Sequence, residues 1–115
     1  MTRVRSESFP RQLRVRRRSE FRAVQERGRK VHTAHFLLFT LDTAPGAGRL
    51  GITASRKVGS AVVRNRLKRY LRETFRRHRA EFPRDKDVVV LVKQAAAGLD
   101  AQTVAREVLR ATRRL

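Results

Sequence analysis

Residues Ser60 to Lys93 read SAVVRNRLKRYLRETFRRHRAEFPRDKDVVVLVK, and this stretch decides the fold. Val63, Leu67, Tyr70, Leu71, Phe75, His78 and Phe82 recur at intervals of three and four, which at 100° per residue gathers them on one stripe of a helix. Asn65, Lys68, Arg69, Arg72, Arg76 and Arg79 fall on the opposite side. The segment is therefore a long helix between Ser60 and Phe82 with one apolar and one strongly cationic face. Pro83 stops it, because a proline ring can neither donate to nor fit inside a continuing helix. Asp87 to Lys93 is then a continuous apolar run, the pattern of a central strand covered on both sides.

Upstream, Phe36 to Leu41 forms a second strand, with a short extended lead-in at Lys30 to His32. Pro45-Gly46-Ala47-Gly48 breaks it, and Arg49 to Ser55 reads as the second half of a hairpin pairing antiparallel with that strand. Before these, Ser19 offers an N-cap, Phe21 and Val24 share a helical face, and Gly28 is placed to end the helix in the left-handed conformation, giving a short helix over 20–27. Downstream, Asp100 is an N-cap flanked by Leu99 and Val104 in staple positions, opening a last helix with Val104, Val108 and Leu115 on one side. The order α-β-β-β-α-β-α predicts an α+β two-layer sandwich with a mixed sheet of about four strands. No internal repeat is visible.

A length of 115 residues fits one domain, since compact domains commonly hold about 100–150 residues. Residues 1–18, with seven Arg, one Glu and a Pro but no apolar periodicity, read as a basic arm, flexible until it meets phosphate. Glu7 and Pro10 sit badly in an organellar transit peptide. Residues 19–115 make a single domain.

Lys and Arg number 29 against 10 Asp and Glu, a formal charge of +19. Such a charge calls for an anionic partner, and nucleic acid leads because phosphate neutralisation releases counterions whatever the sequence. A membrane partner is disfavoured: the longest apolar runs, 36–39 and 88–92, are strand-length, and no secretory signal follows the start. Of the basic residues 24 are Arg; Arg pairs phosphate bidentately and stacks on bases, although G+C-rich coding explains the excess equally well. Without cysteine, disulfides and thiolate metal sites are excluded, and a cytoplasmic address follows.

Protein-side catalysis has no support in the pattern. His32 and His35 point to opposite faces of a continuous strand, and His78 lies on the buried stripe. The carboxylates show no spacing of an acid/base dyad or metal nest, and Glu73, four residues before Arg77, reads as a helical ion-pair partner. Lys57-Val58-Gly59-Ser60 lacks the residue order of a P-loop. What stands out is a loop carrying Arg56 and Lys57 that enters the electropositive amino end of a helix displaying Arg64, Asn65, Arg66, Lys68, Arg69 and Arg72. Glu73 is the only acid between Arg64 and Arg79, so the ridge calls for a counter-charge.

At these residues the chain resembles the ribonuclease P protein family. Arg64-Asn65-Arg66-Leu67-Lys68-Arg69 matches that family's signature, and Ser55-Arg56-Lys57-Val58-Gly59 looks like its lead-in. Leu50-Gly51-Ile52, 72–76 (RETFR) and 88–90 (VVV) extend the likeness over 15–114. The resemblance implies a left-handed crossover into the last strand, and a division of labour in which a catalytic RNA, holding Mg²⁺, removes the 5′ leader from precursor tRNA. It implies no cofactor intrinsic to the protein and no obligate protein partner. Arg56, Lys57, Arg64, Asn65, Arg66, Lys68, Arg69 and Arg72 would bind the RNA subunit. Phe21, Gln25 and Phe39 would line a leader cleft between the first helix and the sheet. Read without the family, Phe21 and Phe39 are ordinary core aromatics; the resemblance implies contact for Phe39. Gln25 stands where the family often has a second aromatic. A structural RNA-binding protein of the ribosomal kind would share the size, charge and fold class, and only the signature loop and helix separate the two readings.

Overall fold

The computed structural model describes residues 11–115. Three α-helices, α1 (Arg18–Arg27), α2 (Ala61–Arg77) and α3 (Ala101–Thr112), accompany four strands, β1 (Arg29–His32), β2 (Phe36–Asp42), β3 (Leu50–Thr53) and β4 (Lys86–Val92). The strands form one mixed sheet in the order β1-β2-β4-β3. The expected α+β architecture and element order are those observed.

The sheet corrects one expectation. β3 does not pair with β2. It pairs parallel with β4, through Leu50 with Val88 and Ile52 with Val90, while β4 pairs antiparallel with β2 along its whole length. The Pro/Gly stretch joins two oppositely running strands, but β4 lies between them. The reason is burial. Val88, Val89 and Val90 are at most 1 % exposed, so a strand apolar on both faces takes the interior of the sheet and displaces the shorter β3, interrupted by Gly51, to its edge. The lead-in at 30–32 is a strand in its own right, paired with β2 through Val31 and Leu38.

Alternation along the strands divides the core in two. Phe36, Leu38, Leu50, Val88, Val90 and Val92 point to one face and pack against Leu67, Leu71 and Phe75 of α2 and Val104, Val108 and Ala111 of α3. Phe39 and Val89 point to the other face and meet Val24 of α1 and Val15. α3 starts as its sequence predicts, the Asp100 carboxylate accepting from the Thr103 amide at 2.8 Å.

The ends of the other helices depart from expectation. α1 begins at Arg18 with Arg17 as its cap, not Ser19. Glu20 Oε1 reaches back to accept from the Arg16 and Arg17 amides, which fixes the start of the helix ahead of Ser19. Gly28 is extended, at φ −82°. Its lack of a side chain serves close approach: a Cβ there would collide with the Thr40 carbonyl and lie 2.5 Å from the Val24 carbonyl oxygen. α2 ends at Arg77, and a short turn of 3₁₀ helix follows at Arg79–Glu81. His78 therefore leaves the buried stripe and meets Glu81 at 3.3 Å. Arg79 leaves the cationic face, stacks on the Phe75 ring at 4.6 Å and donates to the Gly48 carbonyl at 2.9 Å.

The expected arm spans 1–18. Residues 1–10 lie outside the described residues, but Val15 is buried and its amide donates to the Leu50 carbonyl at 2.9 Å. Arg14 bridges to Leu50 in parallel sense, so this stretch shields the free edge of β3.

Candidate nucleic-acid interface

The ridge is built by the turn that precedes α2. Ser55 Oγ accepts from the Lys57 amide and the chain makes a 3₁₀ turn over Arg56–Val58, which leaves Arg56 and Lys57 exposed and Val58 buried as its anchor. Gly59 then adopts φ 154°, a conformation that side chains other than hydrogen disfavour, and redirects the chain into the helix. Ser60 caps α2 by accepting from the Val63 amide. No acid occupies the first turn. The positive end of the helix dipole thus stays uncompensated beside Arg56 and Lys57.

Burial of Leu67, Leu71, Thr74 and Phe75 fixes the rotation of α2. Asn65 and Arg69 then face solvent, flanked by half-buried Lys68 and Arg72. Arg64 and Arg66 sit on the two shoulders, held by backbone carbonyls: Arg64 Nε donates to Gly59 at 3.2 Å and Arg66 Nη2 to Ala97 at 3.4 Å. These bonds aim the guanidiniums without neutralising them. Burial, and secondarily the charge of Arg14, lowers the pKa of Arg72. The one acid of the helix, Glu73, is engaged further along by Arg77 at 3.3 Å and Arg76 at 3.7 Å. Among the described residues none of Arg56, Lys57, Arg64, Arg66, Lys68, Arg69 or Arg72 has a carboxylate partner. The structure brings all eight expected ridge residues onto one loop and helix.

On the opposite face of the sheet, Arg18, Phe21, Arg22, Gln25 and Glu26 of α1, Ile52 and Thr53 of β3, and Arg16 line a cleft of 540 Å³. The Phe21 ring lies against β3, where a Cβ at Gly51 would come within 2.8 Å of it. The absent side chain lets an aromatic lie close on the strand. Phe21 and Gln25 are both half-buried and one helical turn apart. Phe39 is placed differently: it is 5 % exposed and belongs to the cluster under α1 with Val24 and Val89. Lys30 Nζ lies 5.9 Å from the centre of its ring.

Two features escaped the sequence. Arg49 donates to both oxygens of Asp87 and to Glu20 Oε2, tying α1 to the ends of β3 and β4 beside the cleft. The Arg17 backbone amide holds the Glu20 carboxyl below its usual range; burial opposes this and Arg49 reinforces it. Glu107 accepts from Thr33 Oγ1 and the His35 amide and meets His35 Nδ1 at 2.7 Å, joining α3 to the β1–β2 turn. These partners are too distant in sequence for spacing to reveal them. Val62, 72 % exposed on the first turn of α2, is a further apolar side chain presented on this face. Its position off the apolar stripe was a legible signal.

A basic α+β domain with a cationic helix face lacking carboxylate partners on one side and a cleft walled by an aromatic ring on the other defines an RNA-binding protein. Residues 9–115 match the family model described as Ribonuclease P. Ribonuclease P protein component of Desulfovibrio desulfuricans is 55 % identical over 111 residues, covering 93 % of this chain and 85 % of the relative. That of Geobacter sp. (strain M21) is 42 % identical over 111 residues, covering 96 % and 94 %. Among solved structures, RNase P protein from Thermotoga maritima superposes with a TM-score of 0.82 at 31 % identity, covering 89 % of this chain and 96 % of that one. A Staphylococcus aureus RNase P protein mutant gives 0.81 at 28 %, covering 88 % and 86 %. The chain belongs to the ribonuclease P protein family and is a component of that ribonuclease, with a role in precursor tRNA processing.

Proposed function

We propose that this chain works as the protein half of a ribonucleoprotein in which the RNA subunit, with its Mg²⁺, hydrolyses the bond that frees the 5′ leader of precursor tRNA. The observation that carries this reading is the α2 ridge, with guanidiniums aimed by carbonyls and left without carboxylate partners. A ridge of this kind follows a phosphate backbone and loses affinity steeply as salt displaces it. In this reading the metal is held by the RNA subunit and the protein brings no cofactor of its own. The protein's part is to dock on that RNA through Arg56, Lys57, Arg64, Asn65, Arg66, Lys68, Arg69 and Arg72, and to hold the single-stranded leader in the α1 cleft. Phe21 offers a ring face to a base, Gln25 offers amide hydrogen bonds, and Arg16, Arg18 and Arg22 attract the strand. Phe39 supports the cleft from beneath. No helix among the described residues is long and apolar enough to cross a membrane, and the working site is the cytoplasm.

Reconstitution tests the proposal. Protein purified free of RNA is expected to leave precursor tRNA intact, and adding it to the cognate RNA subunit at low Mg²⁺ is expected to stimulate cleavage at the mature 5′ end. RNA-free protein that made the correct end, or an RNA subunit indifferent to the protein, would overturn it.

A further inference from the structure

α3 carries a second row of cations, away from α2. Arg106 and Arg110 lie one turn apart on the helix, Arg114 follows in the turn just past its end, and all three are exposed. They line a groove of 390 Å³ whose other wall is Thr33 and Ala34 of the β1–β2 turn. The acid that should compensate them is Glu107, next to Arg106 and three residues before Arg110. Glu107 also lines the groove, but its carboxylate is engaged across it by Thr33 and His35. Among the described residues no carboxylate pairs with any of the three arginines, and Arg114 reaches only the His32 carbonyl, at 3.4 Å. The fold thus engages Glu107 in holding the turn and leaves the three arginines without an ion-pair partner among the described residues.

At a rise of about 1.5 Å per residue, Arg106 and Arg110 are roughly 6 Å apart along the helix, and Arg114 continues the series past its end. That is a row and not a point, suited to successive phosphates of a chain. The groove contains threonine hydroxyls and no aromatic ring, so it reads backbone and not base. It is also separate from the ridge: the side of α3 that faces α2 presents Ala101, Gln102 and Ala105.

We propose that the Arg106–Arg110–Arg114 groove is a second phosphate-backbone site that takes a single strand of RNA while α2 is docked elsewhere. The inference rests on the reading of this chain as part of a ribonucleoprotein. The strand belongs either to the RNA subunit or to precursor tRNA, and the same chemistry serves both.

The chain has no cysteine, so Ala34→Cys gives a single tether in the groove wall for an iron-EDTA probe, and Val62→Cys gives one on α2. In the reconstituted complex, with RNA subunit and precursor labelled in turn, the Ala34 probe is expected to cut one short segment of one RNA, different from the segment cut from Val62. The labelled RNA that is cut identifies the source. Absence of scission from Ala34→Cys in a complex that Val62→Cys does cut overturns the inference and leaves the proposed function standing; absence from both overturns both. A binding measurement on the RNA so identified supplies the second check. The Arg106→Gln, Arg110→Gln, Arg114→Gln triple variant is expected to flatten the dependence of log affinity on log salt by about 2, at roughly 0.7 per single-strand phosphate contact. An equal flattening in an Arg27→Gln, Arg29→Gln, Arg84→Gln control, which removes the same charge from other exposed positions, overturns it.

Discussion

Phe21 and Phe39 are chemically identical and lie on the same side of the sheet, yet their exposure gives them different work. Phe39 is sealed under α1, whereas Phe21 contributes to the cleft wall. Phe21→Ala is expected to weaken binding of precursor tRNA by about 1–3 kcal/mol, the usual loss of one base–aromatic stack, while mature tRNA binding stays unchanged. Phe39→Ala removes a buried ring and is expected to cost about 3–5 kcal/mol of stability. Leader-dependent affinity and thermal melting, measured on both variants, check the pair; a leader effect confined to Phe39→Ala would reverse the assignment. Gly28 makes a different residue-scale case. A methyl group there meets two backbone carbonyls that cannot swing away as side chains can. Gly28→Ala is therefore expected to lower the melting temperature more than Gly46→Ala, even though Gly46 has φ 81°, because open space around Gly46 leaves only the conformational strain, of order 1–3 kcal/mol.

At the scale of elements, the helices are pinned to the sheet by carboxylates as well as by apolar packing. Glu20 ties α1 to Arg49, and Glu107 ties α3 to the β1–β2 turn. Burial pushes the Glu107 carboxyl up, but the hydrogen bonds from Thr33 and His35 outweigh it, and both carboxyls titrate below their ordinary value of 4.5. A carboxyl with a lowered folded pKa stabilises fully above its unfolded pKa, and that contribution is lost as pH falls through the folded one. Melting temperature is thus expected to hold from neutral pH down to about 5 and to drop below it, with a shallower drop in Glu107→Gln. A Glu107→Gln profile parallel to that of the parent would show that the pair does not hold α3. Such tethers explain what periodicity could and could not show. α2, α3 and β4 were legible because each shows its own burial in its own spacing. The partner of β3 was not, since local turn chemistry at 45–48 is the same whether the next strand pairs with its predecessor or is displaced by a later one. The ridge was legible for the same reason as α2, being the complement of the buried stripe, up to the point where the helix ends and Arg79 turns to Phe75. The burial of Phe39 was less legible: alternation placed it on a face, but spacing carries no record that α1 would cover it.

For the whole molecule, two electrostatic effects oppose each other. The ion pairs that join elements, Arg49 with Glu20 and with Asp87, are weakened by salt, although their partial burial protects them. Against them stands a formal charge of +19 on 115 residues, whose mutual repulsion acts across the exposed surface and favours expansion. Raising ionic strength from about 0.1 M to about 1 M shortens the screening length from about 10 Å to about 3 Å, which suppresses the long-range repulsion far more than the contacts near 3 Å. The repulsive effect is therefore the one salt should relieve. The isolated protein is expected to melt several degrees higher at about 1 M than at about 0.1 M sodium chloride. Its affinity for RNA should fall over the same interval, because the same cations lose their counterion-release advantage. Calorimetry and binding on one preparation decide the matter. A melting temperature that fell with salt would mean that the buried pairs outweigh the surface charge, and that the cationic ridge is held in place by the fold at little cost before any RNA arrives.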